Sequence, residues 1–293
     1  MNKFLNISFI GGDKRQIRVI SGFSKMGCNI KTFGFEDAFF PSGINVDFSS
    51  SVKECINNAD IIILPLPYNT GKDILNNTFS DKKIYISDII SNISEKQILF
   101  AGRADNRLKA LAELYNIKLI DYTEREELSV LNSIPTVEGA IEIALSKTPY
   151  TIHGSRCIVL GYGRIGKLLS STLDALGAKV SVAARKYSDL AWIKAAGFTP
   201  IQFKNLEDSI GSYDIIFNTV PVMVLDYKML SKIPDTSLII DLASRPGGVD
   251  FETAASLKKN VIHALSLPGK VAPDTAGDII KDTICNILEE LGV

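Results

Sequence analysis

The hydrophobic and polar positions of this chain form two alternating patterns along most of its length. Short runs in which almost every residue is apolar are separated by segments whose apolar residues recur every three or four positions. Continuous apolar runs favour strands that are buried on both faces of a sheet, and the wider spacing favours amphipathic helices. The alternation therefore predicts an α/β fold built from parallel sheets.

The first part of the chain contains six predicted strands and ends in a predicted connecting helix. We expect the strands at residues 6–10, 29–35, 60–64, 83–86, 98–100 and 118–122. Helical spacing is clearest at 15–26, where Gly27 would end the helix, and at 106–115. In the segment NSIPTVEGAIEIALSKTPY that follows, Pro135 can start a helix and Pro149 can end it, so this helix is the predicted connector.

The second part begins at RCIVLGYGRIG and repeats the alternation. We expect its further strands at residues 179–183, 199–201, 215–219, 237–242 and 261–264. An amphipathic helix at roughly 275–291 closes the chain, and we expect it to cross back to the first domain. The runs IIILPLPYN (61–69) and IIFNTVPVM (215–223) each end an apolar strand in a proline-bearing loop, so the two parts weakly resemble each other.

Composition and charge narrow the range of partners. The 293 residues are enough for two domains that each bury a core, and 32 Lys and Arg nearly cancel 33 Asp and Glu. A balanced charge gives no field to attract nucleic acid or an anionic membrane, and no apolar run approaches the ~20 residues of a membrane-spanning helix. Four scattered cysteines are typical of reduced thiols in the cytosol, and neither they nor the two histidines show metal-ligand spacing, so we expect no metal.

The motif GYGRIG follows a strand run and precedes a helical segment, which is the context of a dinucleotide-binding turn. Gly161 permits the tight turn, Gly163 lets the backbone approach a pyrophosphate, and Gly166 allows close packing of helix on strand. Arg164 and Ile165 open the helix, whose unpaired N–H groups would face the phosphates. The alternative is a glycine-rich turn that binds nothing.

The next strand ends in bases where an NAD site commonly has an acid. About 20 residues beyond the glycine motif, an Asp or Glu would accept hydrogen bonds from the ribose 2′-hydroxyl. Arg185, Lys186 and Ser188 stand there instead. A 2′-phosphate brings roughly two negative charges, which an arginine can hold with two hydrogen bonds. We therefore predict NADP over NAD, with a solvent-facing Arg185 as the alternative.

The fold class that follows is α/β with two doubly wound parallel-sheet, Rossmann-like domains facing each other across a cleft. We expect a first, substrate-side domain at 1–132, a connecting helix at 133–149 and an NADP-binding domain at 150–274, with helix 275–293 packing back on the first domain. Ligands of such sheets bind at the carboxyl ends of the strands.

The loops after the later strands supply further candidates for cofactor contacts. Strand order would place Asn218 and the three residues after it beside the nicotinamide-side ribose, and it would bring two residues after LIIDL near the nicotinamide. The candidates for cofactor contacts in these two loops are therefore Thr219, Val220, Pro221, Ala243 and Ser244.

Two arginines are candidates for binding a carboxylate of the substrate. In DLASRPGGVDF, a proline and glycines such as Gly247 would present Arg245 close to a ligand, although an ion pair with Asp250 is the alternative. In FIGGDKRQ, Asp13 and Arg15 start a helix whose dipole favours a second anion, although a surface salt bridge between them is equally compatible.

Polar residues of the connector and of the last loop are weaker candidates for substrate contacts. They are Ser133, Thr136, Glu138, Asp274 and Thr275. Residues of these types often only cap helices, but a hinge between two sheets is also a place where a substrate binds.

The chain resembles the A subunits of dipicolinate synthase, a protein family of spore-forming bacteria. The matching segments, in order, are GGDKRQ (11–16), ILPLP and TG within 63–71, NSIPTVEGAI (132–141), YTIHGS (150–155), GYGRIG, NTVP, DLASRPGG and PGKVAPDTAG (268–277). They cover nearly the whole chain, and NSIPTVEG together with DLASRPGG is a specific combination.

The resemblance implies oxidation of a dihydrodipicolinate-type compound, derived from 4-hydroxy-tetrahydrodipicolinate, to pyridine-2,6-dicarboxylate, with NADP as cofactor, during sporulation in the mother-cell cytoplasm. The partner that it implies is a flavoprotein-like B subunit, and we expect a homo-oligomer, a dimer. A substrate with two carboxylates suits two cationic anchors, Arg245 and Arg15. Glu138, Asp241 and Asp274 are the candidates for the base.

Two other functions stay open. The D-2-hydroxy-acid dehydrogenases resemble this chain in plan, but their later loop supplies a Pro-His pair where this chain has Pro273-Asp274-Thr275, although His263 is not excluded as the proton carrier. The other alternative is a non-catalytic NADP-binding component of a larger complex.

Overall fold

The computed structural model describes residues 5–71 and 73–293. The chain divides into two compact units, one of Met1–Leu131 with Ala272–Val293 and the other of Asn132–Val271. Each unit contains one six-stranded sheet whose neighbouring strands are all parallel. The predicted fold class, α/β with two doubly wound parallel sheets, is confirmed.

The first unit alternates short strands and helices. Its elements are β1 (Asn6–Ile10), α1 (Lys14–Lys25), β2 (Asn29–Phe33), β3 (Asp47–Phe48), α2 (Val52–Ile56), β4 (Ile61–Ile63), α3 (Ile86–Ile90), β5 (Ile98–Ala101), α4 (Asn106–Leu114), β6 (Lys118–Asp121) and α5 (Glu126–Leu131). The strand order is β3-β2-β1-β4-β5-β6, so the chain reverses its direction of travel across the sheet between β1 and β4.

The second unit repeats this plan after one long helix. Its elements are α6 (Ser133–Lys147), β7 (Arg156–Leu160), α7 (Arg164–Ala175), β8 (Lys179–Ala184), α8 (Tyr187–Ala195), β9 (Thr199–Gln202), α9 (Leu206–Ser209), β10 (Ile215–Asn218), α10 (Tyr227–Lys232), β11 (Leu238–Asp241), α11 (Phe251–Ser256), β12 (Asn260–His263) and α12 (Leu267–Val271). The order β12-β11-β10-β7-β8-β9 places the reversal between β7 and β10. Both sheets therefore have the strand order of dinucleotide-binding domains, in which ligands bind at the reversal point.

The last helix, α13 (Pro273–Glu290), packs on α1 in the first unit. A Cβ atom at Gly277 would lie 2.6 Å from the carbonyl oxygen of Arg15, so glycine is needed for this close approach. Arg18 of α1 forms an ion pair with Asp278 of α13, with 2.8 Å between nitrogen and oxygen. The amphipathic pattern placed Leu291 on the apolar side of this helix together with six other residues, but Leu291 lies after the helix and is exposed. The other six are buried: Ile279, Ile280, Thr283, Ile284, Ile287 and Leu288.

One predicted strand is wrong and one observed strand was not predicted. Residues 83–86 do not join the sheet, because Ile84 instead accepts a hydrogen bond from the Leu75 N–H and α3 begins at Ile86. Ile84 is still buried, so its apolar character reflects packing of a loop and not a strand. The edge strand β3 has two exposed residues, which is too short and too polar a run to give a periodic signal.

The stretch Glu126–Lys147, which comprises α5 and α6, passes a test of length and apolar composition for a membrane span. The core helix of an ordinary α/β domain passes the same test. Val137, Ala140 and Ala144 on α6 are buried in the core of the second unit, so this stretch is weak evidence for a membrane location.

Candidate functional site

The GYGRIG turn joins β7 to α7 at the point where the second sheet reverses its strand order. Gly161 has φ +99°, and a Cβ atom there would lie 2.5 Å from Oγ1 of Thr219. Thr219 follows β10, and both its N–H and its hydroxyl donate to the carbonyl of Leu160, at 2.9 Å and 2.8 Å. The turn after β7 and the loop after β10 are therefore in contact, and only glycine fits at position 161.

The other two glycines of the motif complete a cradle for an anion. A Cβ atom at Gly163 would meet no atom within 4 Å, so the backbone there faces open space. A Cβ atom at Gly166 would collide with the carbonyl oxygen of Gly161, which shows how closely α7 packs on the turn. Gly163 is the N-cap of α7 and provides no capping side chain, so the first N–H groups of the helix keep the capacity to bind a ligand. This geometry fits the pyrophosphate of a dinucleotide. The next two residues differ in burial, since Arg164 is exposed and Ile165 packs partly against the core.

The end of β8 lies beside this turn, because the Gly161 N–H donates to the carbonyl of Ala183 at 2.9 Å. Ala184 is buried, whereas Arg185, Lys186 and Ser188 are exposed. Within residues 5–71 and 73–293, the side chains of these two bases form no ion pair. Two unpaired cations therefore stand next to the phosphate cradle.

The carboxyl ends of β10 and β11 are joined by two fully buried polar side chains. The Asn218 amide nitrogen donates to Oδ1 of Asp241 at 2.8 Å and to the carbonyl of Val220 at 3.0 Å. Oδ1 of Asp241 also accepts the Ala243 N–H at 3.0 Å, and Oδ2 accepts the Gly248 N–H at 2.8 Å. Asp241, a sequence-predicted candidate for the base, thus has both oxygens engaged by N–H donors.

The loop after β11 exposes Ser244, Arg245 and Pro246 and buries the glycines that follow. Asp250 accepts hydrogen bonds from the N–H and the hydroxyl of Thr253, at 3.0 Å and 2.7 Å, and so caps α11. In the described parts of the chain Arg245 has no ion pair, so the alternative pairing with Asp250 does not form. Arg245 is a cation that remains available to a ligand.

His263 ends β12 and lies under the same loop. Its Nε2 is 3.1 Å from the carbonyl oxygen of Ala243, and its ring stacks on Phe251 at a centroid distance of 4.8 Å. The imidazole therefore supports the backbone next to Ser244.

In the first unit, Asp13 and Arg15 bind each other. The Arg15 guanidinium donates to both oxygens of Asp13, with a shortest distance of 2.6 Å, and also to the carbonyl of Leu66. Asp13 in addition caps α1 by accepting the Arg15 N–H at 3.0 Å. The salt bridge considered from the sequence is thus present, but it is not a surface pair, because Arg15 is only 8% exposed.

The first βα turn of this unit is covered by its own chain. A Cβ atom at Gly11 would lie 2.6 Å from Cδ2 of Leu75 and 2.8 Å from the carbonyl oxygen of Asn76. The carbonyl of Gly12 accepts both the N–H and the hydroxyl of Thr78, each at 3.0 Å. Residues 75–78 therefore occupy the place where a phosphate would meet this turn.

The remaining predicted residues lie at helix starts. On α6, Ser133 is buried, the Thr136 hydroxyl donates to the Asn132 carbonyl at 2.7 Å, and Glu138 is exposed. Asp274 and Thr275 are exposed in the first turn of α13. Ser133, Thr136 and Glu138 belong to the second unit, and Asp274 and Thr275 belong to the first. Within the second unit, the structure brings together predicted residues at the carboxyl edge of the sheet: Gly161, Gly163, Gly166, Arg185, Lys186, Thr219, Val220, Pro221, Asp241, Ala243, Ser244, Arg245 and Gly247.

The sequence did not indicate the part played by Gly248. A Cβ atom at this position would collide with the Asn218 amide nitrogen and lie 2.6 Å from the Val220 carbonyl oxygen. The paired glycines of DLASRPGG were the available signal.

Among the described residues, no cluster of three or more His, Cys, Asp and Glu side chains could hold a metal ion.

Two family models match the two parts of the chain. The model of the N-terminal domain of the dipicolinate synthase A subunit matches residues 6–123, and that of the D-isomer specific 2-hydroxyacid dehydrogenase NAD binding domain matches 138–267. The second match contains the glycine turn, the basic segment and the Arg245 loop. It therefore indicates a nicotinamide dinucleotide cofactor and an oxidoreductase-type domain.

Relatives match over the whole chain. The dipicolinate synthase A subunit of Bacillus subtilis (strain 168) is 36% identical, in a match that covers 98% of this chain and 97% of that protein. The crystal structure of the Bacillus subtilis protein superposes with a TM-score of 0.91 over 100% of this chain and 98% of that chain. The corresponding crystal structure from Bacillus halodurans, at 32% identity, gives a TM-score of 0.92 over 98% and 99%.

Proposed function

This chain belongs to the family of dipicolinate synthase A subunits, and on that premise we propose that it oxidises a dihydrodipicolinate-type compound to pyridine-2,6-dicarboxylate with NADP. The compound would derive from 4-hydroxy-tetrahydrodipicolinate, in the mother-cell cytoplasm of a sporulating bacterium. One observation carries this function: a glycine turn open to phosphate and an unpaired arginine, Arg245, share the carboxyl edge of one sheet.

The basic segment after β8 supports NADP over NAD. Arg185 and Lys186 are exposed, have no acidic partner among the described residues, and follow directly on a strand hydrogen-bonded to the GYGRIG turn. Ser188 adds a hydroxyl in the first turn of α8, whose N-cap residue contributes no capping side chain. A carboxylate would accept hydrogen bonds from a 2′-hydroxyl but would repel a 2′-phosphate, whereas this segment attracts one.

The cofactor assignment is tested by dissociation constants for NADP and NAD, measured by calorimetry on Arg185→Ala. A charge-assisted hydrogen bond contributes about 1.5–3 kcal/mol, so we expect NADP to bind roughly 10- to 150-fold more weakly and NAD to be unaffected. Arg156→Ala is a matched control, because Arg156 is an exposed arginine at the amino end of β7. Equal constants for the two cofactors in the unmodified protein would refute the assignment.

Arg245 is assigned to a substrate carboxylate. Its planar fork suits bidentate binding of a carboxylate, and no acid of the described chain neutralises it. We expect Arg245→Ala to raise the KM for substrate sharply while the dissociation constant of NADP is preserved, and Arg245→Lys to restore binding in part. Unchanged turnover and KM in Arg245→Ala would remove this residue from the site.

Arg15, the second anchor expected from the sequence, forms an ion pair with Asp13 and donates to the Leu66 carbonyl.

The reaction removes a hydride and a proton and leaves an aromatic ring. Bound NADP would supply the hydride acceptor. The protein must bind the two carboxylates and accept the proton, and because aromatisation is favourable the base need not be strong. Glu138 and Asp274 are exposed carboxylates that can accept a proton, whereas Asp241 is enclosed. Comparing kcat in Glu138→Gln and Asp274→Asn would identify the base.

The match of the second unit to the D-isomer specific 2-hydroxyacid dehydrogenase model supports a second candidate, the oxidation of a 2-hydroxy acid. Such a reaction usually needs an imidazole to carry the proton. Pro273-Asp274-Thr275, expected from the sequence to be a loop, form the first turn of α13 and include no histidine, and Nε2 of His263 faces the Ala243 carbonyl. NADPH formation from 2-hydroxy acids, and not from the cyclic dicarboxylate, would favour this candidate.

A flavoprotein-type B subunit is the proposed partner, and the chain itself is proposed to form a dimer. One assay separates the alternatives: 4-hydroxy-tetrahydrodipicolinate and NADP are added to the chain with and without the B subunit, and NADPH absorbance is followed. NADPH production by the chain alone supports a complete enzyme. Production only with the partner supports a shared site, and none in either case supports a non-catalytic binding role.

A further inference from the structure

The Asp241 carboxylate and the Asn218 amide form an unusual pair at the carboxyl edge of the second sheet. They lie opposite each other at the ends of β11 and β10, and both side chains are 0% exposed. A buried carboxylate is costly unless hydrogen bonds replace the lost water. Its three N–H partners, at 2.8 to 3.0 Å, provide that replacement.

The contacts of Asp241 describe a support for a loop. Oδ1 accepts an N–H from the start of the Arg245 loop, at Ala243, and Oδ2 accepts one from its end, at Gly248. A Cβ atom at Gly247 would lie 2.6 Å from Oδ2, so the loop backbone rests directly on the carboxylate. The exposed Ser244 and Arg245 lie between these two attachment points.

Asn218 extends the support to the neighbouring loop. Its Oδ1 accepts the Val220 N–H at 3.1 Å and its Nδ2 donates to the Val220 carbonyl at 3.0 Å, so the amide holds this residue's backbone from both sides. The carbonyl of Gly248 in turn accepts the N–H groups of Val224 and Leu225, each at 2.9 Å. One connected network therefore fixes the loop after β10 and the loop after β11 against each other.

We propose that Asp241 is a positioning residue. It holds the loop that carries Arg245, and through Asn218 it fixes that loop relative to the loop after β10. A general base has to reach a proton on the substrate. Both oxygens of Asp241 are buried and turned toward backbone and amide N–H groups, so the carboxylate acts through the loop and not on the substrate. This inference rests on the proposed function, in which Arg245 binds a substrate carboxylate.

Asp241→Asn is the direct test because it changes one oxygen into an NH₂ group of the same size. If the new oxygen keeps the two bonds of Oδ1, the NH₂ group faces the Gly248 N–H, donor against donor, and the loop must shift. We expect the KM for the dicarboxylate substrate to rise about tenfold or more with kcat much less affected, because binding geometry is lost and chemistry is not. Loss of a base would instead lower kcat by roughly 10²- to 10⁴-fold.

A double-mutant cycle with Arg245→Ala separates the two roles further. If Asp241 acts by placing Arg245, Asp241→Asn has almost no added effect on KM once Arg245 is gone. Calorimetry of pyridine-2,6-dicarboxylate binding in the presence of NADP gives a readout without turnover, and Asp241→Asn and Arg245→Ala should weaken this binding to a similar degree. Additive effects, or a kcat defect with unchanged dicarboxylate binding, would overturn the positioning role.

Asp121→Asn in the first unit is the matched control. Asp121 also ends a strand and accepts backbone N–H groups, from Arg103 at 3.1 Å and Ala104 at 2.7 Å. We expect Asp121→Asn to lower the melting temperature without changing dicarboxylate binding.

If Asp241→Asn does not fold, Asn218→Ala, which leaves the carboxylate in place, decides the question through a smaller rise in the same KM. Wild-type protein that binds neither NADP nor the dicarboxylate contradicts the proposed function, whereas normal binding in both wild type and Asp241→Asn contradicts only the positioning role.

Discussion

The two units of this chain share one strand order but differ in what lies over their first βα turn. In the second unit, a Cβ atom at Gly163 would meet open space, and bases line the end of the neighbouring strand. In the first unit, Leu75 and Asn76 lie against Gly11, and Thr78 binds the Gly12 carbonyl. The same topology therefore provides an accessible phosphate cradle in one unit and a covered turn in the other.

The length of one connection explains the difference. In the second unit β10 ends at Asn218 and α10 begins at Tyr227, whereas in the first unit β4 ends at Ile63 and α3 begins only at Ile86. The longer connection returns over the first turn and is held there by Tyr68, whose hydroxyl donates to Asp105 at 2.7 Å. A glycine after a first strand is thus insufficient for a nucleotide site, since the fold supplies the place and the loops decide its use.

The largest effect is expected from Gly161→Ala in the second unit. The added methyl group meets Oγ1 of Thr219 at 2.5 Å, and φ +99° is strained for any other residue. The turn can relieve this strain and collision, of the order of 3 kcal/mol, only by moving away from its phosphate-binding geometry, so we expect NADP to bind roughly a hundredfold more weakly in calorimetry.

Gly197→Ala is the control for Gly161→Ala, because Gly197 has a similar φ of +89° in the same unit but no atom within 4 Å of the new methyl group. It should lower stability without loss of cofactor affinity. If both variants bind NADP equally well, the glycine turn of the second unit is not the cofactor site.

An effect of similar size, but on stability and not on cofactor affinity, is expected from Leu75→Ala in the first unit. Leu75 is 1% exposed, and truncating a buried leucine costs about 2–5 kcal/mol. We expect this loss in urea unfolding, whereas the NADP dissociation constant and a stoichiometry of one per chain stay unchanged. A second equivalent of NADP bound by the variant would show that the covered turn is a latent nucleotide site, and the contrast between the units would fail.

The sequence predicts the open turn of the second unit but not the covered turn of the first. The reason is how far along the chain the residues in contact with each turn lie. The spacing of Gly161, Gly163 and Gly166 is local, so the open turn was recognisable. The cover over Gly11 comes from Leu75, which is more than sixty positions away, and no local pattern contains that contact. Residues 83–86 suggested a strand for the same reason, since Ile84 and Ile86 are buried by a loop and a helix start that the pattern does not describe.

The site shows the same limit in its chemistry. The sequence placed Asp241 at the end of a buried strand, near the expected ligand, and a carboxylate there is a reasonable candidate for a base. That Ala243 and Gly248 turn their N–H groups onto it depends on backbone geometry, which residue types do not specify. For Arg245, in contrast, the sequence indicated exposure after a buried strand but left an ion pair with Asp250 open, and the exposed Arg245 side chain forms no such pair in the described residues.

A smaller effect, with a pH dependence, is expected from Tyr68→Phe. Burial and the hydrogen bond to Asp105 raise the pKa of the Tyr68 hydroxyl well above its usual value. Removing this hydrogen bond to a charged acceptor should cost about 1–3 kcal/mol near pH 7. Because the folded state holds the neutral hydroxyl, that contribution is present below the ordinary tyrosine pKa of about 10 and is lost as pH rises above it.

The measurement for Tyr68→Phe is the free energy of unfolding of both proteins between pH 7 and 11. We expect the difference between them to shrink above pH ~10, where only the wild type has this tyrosine to ionise on unfolding. Parallel curves up to pH 11 would mean that Tyr68 does not hold the covering segment through its hydroxyl.

At the acid end, burial of Asp105 opposes ionisation, but hydrogen bonds from Leu108, Tyr68 and Asn69 outweigh it and lower the Asp105 pKa.

The smallest effect is expected from Arg107→Ala, which removes a surface attachment of the same segment. Arg107 on α4 lies 2.7 Å from Asp73, and its side chain is 48% exposed. Exposed pairs of this kind contribute about 0–1 kcal/mol and are screened by salt. We therefore expect a small loss of stability at low ionic strength that vanishes in ~1 M NaCl, where the Debye length is ~3 Å. A large loss that persists in high salt would mean that charge, and not the burial of Leu75 and Tyr68, keeps the first turn covered.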